Sequence, residues 1–197
     1  MYEQAIHIYE KLPLFETGLI MGIVLVLLHL FALLKPETVK HALNAAHKAE
    51  KAGVILLGID FAWVALLLWD SPSNPLRMPL FEFEGARGIL LLLCPVIWFI
   101  LATMVKENLF PRALGFFLLL MAIVPMSAAF LKEPMTRLLI PLWWYPVLTA
   151  AMFWVAWPWT FRDSAAKFTA CPRLFRATAL FGTVYGAAII LCAILFW

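Results

Sequence analysis

Two side chains in this sequence stand where ionisable groups are costly. His29 lies inside the apolar run 17–34, and Asp60 interrupts the apolar run 52–69. A charged group at the centre of a membrane span costs about 2.5–3.5 kcal/mol on insertion scales, so such residues are rare and mark proton relays, ion paths or ligand sites. His29 precedes Leu34 by five residues, about 8 Å of helix, and Asp60 follows Ala52 by eight, about 12 Å. The two runs form one hairpin, so the two side chains are expected at similar depth and in a direct hydrogen bond that fixes the histidine tautomer. The chemistry this would support is a proton or cation relay, or a polar handle for a quinone. The competing structural reading is a clamp between two helices, since intramembrane hydrogen bonds average about 0.6 kcal/mol.

A second concentration of chemistry is aromatic. The stretch 138–161 carries Trp143, Trp144, Tyr145 and Trp154, then Trp157 and Trp159, with Pro141, Pro146 and Pro158 among them. Trp143, Trp144, Tyr145 and Trp154 are read as possible contacts for a lipid or ligand, against a plainer reading of interface anchoring. Pro141 and Pro146 are expected to kink the helix. Gly182 and Gly186 form a G-x-x-x-G, a close-packing face suited to self-association or to another subunit. Bis-histidine haem ligation needs two intramembrane histidines, and His29 stands alone, with His7, His41 and His47 outside the runs. No cofactor and no metal site is expected. Cys94, Cys171 and Cys192 share no metal-binding spacing. No nucleophile elbow, zinc-protease or phosphate-loop motif occurs, so no catalytic residue is assigned.

The elements that must position these groups follow from composition. The chain has 197 residues, 64% hydrophobic and 14% charged, with a mean hydropathy of +0.92. Soluble domains average about 45–50% apolar and about 25% charged residues, so a water-soluble fold, a disordered chain and a disulfide scaffold are all excluded. A net charge of +3 without a basic polar module argues against nucleic acid. A spanning helix needs about 20 mainly apolar residues. Six such runs, 17–34, 52–69, 88–105, 113–131, 138–161 and 177–197, predict an all-α polytopic membrane protein. It is a single domain, residues 1–197, formed by a bundle of six transmembrane helices. The runs do not alternate polar and apolar residues, which excludes a β-barrel.

Ten basic residues fall in the loops on one side of the bundle and five on the other. The richer side is expected in the cytoplasm, with both termini on the non-cytoplasmic side of a plasma (inner) membrane. Residues 1–13 have the spacing of an interfacial helix, and 36–51 that of a cytoplasmic amphipathic helix near anionic headgroups. The proline-rich segment 70–87 is expected to be turned, with Glu82 and Glu84 resting on the bilayer surface or on a partner. Short loops and nearly unbroken apolar spans favour a non-catalytic accessory or scaffold subunit of a larger membrane complex, in contact with lipid and other subunits. The alternatives are a small transporter or channel using His29 and Asp60, and a membrane enzyme or lipid-handling protein.

Overall fold

The computed structural model describes residues 8–71, 73–105 and 107–197. Among these residues there is no strand, and the helices follow the apolar runs. They are α1 (Leu14–Leu34), α2 (Pro36–Ala46), α3 (Glu50–Leu68), α4 (Arg87–Met104), α5 (Leu109–Ala129), α6 (Leu139–Ala156), α7 (Trp159–Ala170) and α8 (Pro172–Phe196). Six segments, Leu14–Leu34, Glu50–Leu68, Phe81–Met104, Leu109–Ala129, Met135–Ala156 and Pro172–Phe196, are long and apolar enough to cross a membrane. The chain is a multi-pass membrane protein. Much of the apolar surface faces outward, as a lipid solvent requires.

Proline sets several boundaries. Pro36 and Pro172 occupy first helical positions of α2 and α8, where a missing N–H costs nothing. Pro158 divides the expected run 138–161. The residue before a proline is driven out of the helical region, and Trp157 sits at φ −129°, ψ 78°. The span therefore stops at Ala156, and the chain restarts as α7, a helix that the loop reading of 162–176 missed. Pro141 falls in the first turn of α6, so it removes no internal hydrogen bond and does not act as the expected kink. The amphipathic helix expected over 36–51 ends earlier, at Ala46, and a turn through Lys48 and Ala49 separates it from α3. Of the expected interfacial segment 1–13, residues 1–7 lie outside the described residues, and Ile8–Lys11 forms one 3-10 turn.

The spans pack in the order α4, α3, α5, α6, and α1 joins this row against α5. The closest pairing is α1 with α8. It depends on glycine. A Cβ on Gly186 would stand 2.9 Å from the Gly22 carbonyl oxygen and 3.0 Å from the Leu25 Cβ, so the two backbones touch. Lipid tails are as apolar as leucine, so this approach gains through van der Waals contact. Gly182 and Gly186 thus pack within the chain, against α1. Side chains tie this pair to α6 and the turn before it. Tyr185 Oη donates to the Leu139 carbonyl at 2.7 Å, and Trp197 Nε1 to Thr136 Oγ1 at 2.7 Å.

At the end of the bundle where α1 begins and α8 ends, the segment between α3 and α4 folds into a polar knot. The last turn of α3 exposes carbonyls with no helical partner. Asn74 Nδ2 donates to those of Leu66 and Trp69, the Met78 N–H to that of Leu67, and Arg87 Nη1 to that of Leu68. Arg87 is 5% exposed. Its Nη2 also donates to the Met78 carbonyl at 2.6 Å and to Glu84 Oε2 at 2.8 Å. Arg77 bridges Asp70 and Glu84, and Glu84 Oε2 accepts the Leu80 N–H. Glu84 is thus paired within the knot, while Phe81 and Phe83 beside it are exposed. At the opposite, basic end, α2 lies against α7 through an Asn44–Thr169 hydrogen bond.

Two substitutions test this packing. Gly186→Val should cost about 1–3 kcal/mol through overpacking against α1, read as a lower SDS midpoint in mixed micelles. Arg87→Ala should leave the Leu68 and Met78 carbonyls unpaired, costing about 1–3 kcal/mol, and open the 70–86 segment to protease.

Candidate functional site

Asp60 is the eleventh of nineteen residues in α3 and is 2% exposed. The buried face of α3 runs through Gly53, Leu57 and Asp60, at helical spacing. That face meets α5: a Cβ on Gly53 would stand 2.7 Å from the Phe110 backbone nitrogen. Asp60 therefore points into the bundle and not to lipid, which also removes it from the reach of another subunit. Among the described residues neither carboxylate oxygen has a hydrogen-bond partner. Next to it, Leu57 packs with Leu109 and Ala113, supported by Val54, Phe61, Trp98 and Leu101. The Trp98 indole N–H is likewise buried without a partner.

His29 is elsewhere. Its Nδ1 is 2.8 Å from the Leu25 carbonyl, one turn back on α1. Its ring lies flat on Gly182, so closely that any Cβ there would collide with it. The expected direct His29–Asp60 hydrogen bond is not formed, because α1 turns this face to α8 while α3 turns Asp60 to α5. Adjacency in sequence did not become adjacency of these faces. A double-mutant cycle of His29→Ala and Asp60→Asn should accordingly be additive within about 0.5 kcal/mol in SDS unfolding; a larger coupling would contradict the geometry.

The expected aromatic contacts also separate. Trp143 joins His29, edge-on at 5.6 Å, with Tyr185 at 5.2 Å and Phe181 at 6.4 Å between ring centroids. Trp144 is buried against Leu14, Ala122, Ala129 and Ile140, its indole N–H unpartnered. Tyr145 is exposed on the outer face of α6. Trp154 stacks edge-on against Phe161 of α7 at 5.0 Å. Consecutive helical residues are rotated by about 100°, so 143, 144 and 145 cannot line one cavity.

Two open crevices lie beside these elements. One, of about 400 Å³, is walled by Glu50, Lys51, Val54, Ile55, Ala102 and Leu109 at the basic end. The other, about 370 Å³, is an apolar groove between α5 and α6 lined by Leu119, Ala122, Ile123, Met126, Ser127, Phe130 and Leu148. Among the described residues no group of three His, Cys, Asp or Glu gathers as metal ligands would. Trp98 is the residue that sequence reasoning missed. One tryptophan in a leucine-rich run gives no signal; its place beside α3 is a tertiary fact.

Comparison of the chain with family models, with curated proteins and with solved structures finds no match.

Proposed function

We propose that this chain is a small ion-handling transport protein in which Asp60 takes up and releases a proton within the membrane. The observation that carries the reading is a buried intramembrane carboxyl group with both oxygens unpaired. An ionised carboxylate without a counter-charge is prohibitively costly in a medium of low dielectric, so a neutralising proton or cation must accompany it. Intramembrane acids kept at that cost serve ion pathways far more often than packing. His29 takes no part in this path. The positive-inside bias supports an orientation with α2 and α7 in the cytoplasm and both termini outside, the plasma membrane being the location we propose.

Purified chain in liposomes loaded with a pH-sensitive dye, under a potassium diffusion potential, tests the reading. Proton flux should exceed that of empty liposomes, and Asp60→Asn should lower it about tenfold, while His29→Ala leaves it nearly unchanged. Equal flux in wild type and Asp60→Asn would overturn the proposal.

A second reading, as an accessory subunit of a larger membrane complex, draws on α4. That helix packs chiefly on α3 among the spans, and its buried side chains are Arg87 and Cys94. Co-purification of stoichiometric partners in mild detergent, lost on charged substitution at Leu92 and Phe99, would favour it.

A further inference from the structure

Asp60 needs a route for its proton, and the packing on its two sides is unequal. Toward the chain termini the way is closed three times over. Trp63 Nε1 donates to the Tyr9 hydroxyl at 2.9 Å, and the Trp63 ring stands edge-on to Phe117 at 6.3 Å. Leu67 and Leu68 are buried behind them. The Arg87 knot then covers the end of α3. Toward the basic end, a single buried leucine turn, Leu57 with Leu109 and Ala113, stands between Asp60 and the 400 Å³ crevice that shares Leu109 as a wall.

Beside that turn lies Trp98, four residues from the crevice wall residue Ala102 on α4. Its indole nitrogen rests on Gly58, where a Cβ would stand 3.3 Å from it. Glycine gives this large side chain room above α3. Gly58 is two residues, about 200° of helix, from Asp60, so Trp98 stands on the opposite side of α3 from the carboxyl. The unpartnered carboxyl costs free energy as placed, and a short water chain from the crevice would satisfy it.

We infer that the crevice is the vestibule through which protons reach Asp60 from the basic end, with the buried Leu57 turn as the last barrier. The inference rests on the proton-handling reading of Asp60 and adds the side of access and that barrier. The step is a bare protonation: the carboxylate gains one proton, becomes the neutral acid, and loses the proton by the same path. A metal cation is disfavoured because hard cations take about six oxygen ligands, and no acidic or histidine cluster surrounds Asp60. Other titratable or charged groups reach this region: on α3 itself, Glu50 and Lys51 wall the crevice. On α4 they are Arg87, held in the knot, and Cys94, which is buried. On α5 there is Arg112, turned to the Val155 carbonyl. The N-terminal turn contributes Tyr9, bonded to Trp63, and the exposed Lys11.

The test uses the full chain with Cys94, Cys171 and Cys192 replaced by alanine, in sealed vesicles of either orientation. A charged, membrane-impermeant methanethiosulfonate is applied to Asp60→Cys, with Val54→Cys as the crevice reference and Trp63→Cys as the reference for the other side. Asp60→Cys should react about tenfold faster from the side that labels Val54→Cys. Adding Leu57→Ala, which thins the barrier, should speed labelling at position 60 about fivefold and leave Val54→Cys reactive, the latter also reporting an intact fold. Faster labelling from the opposite side, equal labelling from both, none at position 60 while Val54→Cys reacts, or indifference to Leu57→Ala would each overturn the route. Loss of proton flux in the liposome assay with one-sided labelling intact would instead overturn the proton reading and leave the route standing.

Discussion

Hydrocarbon offers no water to an unpaired polar group, and that constraint organises this molecule. Each span closes its backbone hydrogen bonds on itself, which leaves the helix ends as the places where polar groups remain to be paired. At the end of α3 they are paired by an asparagine amide, a loop N–H and a buried guanidinium, all from the segment that leads into α4. One arginine therefore both caps α3 and fixes the start of α4. Where side chains are apolar, contact replaces pairing. The α1–α8 seam is made of glycines because lipid gives no hydrophobic reward for association, so the gain must come from closeness.

Against this background Asp60 is, among the described residues, the fully buried charged residue left unpaired, alongside the uncharged Trp98 and Trp144 indoles. The knot shows that the chain can satisfy a buried charge: Arg87 has two carbonyls and a carboxylate. No such provision is made for Asp60. A group left unpaired at mid-span in a fold that pairs its other buried charge is a group whose partner comes and goes. Local violation of a rule the rest of the structure obeys is the expected mark of function.

Much of the fold was legible in the rows of residues. Length of apolar run reports a span directly, because only a helix of about 20 residues both crosses the slab and pairs its own backbone. The boundary at Pro36 was legible for the same kind of local reason. The break at Pro158 was also written in the chain, and the spacing of Phe161, Ala165 and Phe168 marks α7, but continuing hydropathy hid both. The sites were harder. That His29 and Asp60 were buried polar residues could be read; that they do not meet could not. A hairpin in sequence need not be a packed pair, and the small residues of α1 found closer contact on α8, 150 residues away in chain order, than on α3.

Composition and periodicity alone determined the solvent of this protein, the number of its crossings and the two polar residues placed inside them, since each depends on a side chain's own preference for oil or water. Tertiary structure decided which helix faces which, that Gly182 and Gly186 serve an internal seam, that Arg87 and Glu84 pair with each other, and that Trp98 rests on Gly58 of α3. Those outcomes depend on the fit between surfaces distant along the chain, and in lipid such fit is set by backbone approach and shape, which an apolar sequence expresses only weakly.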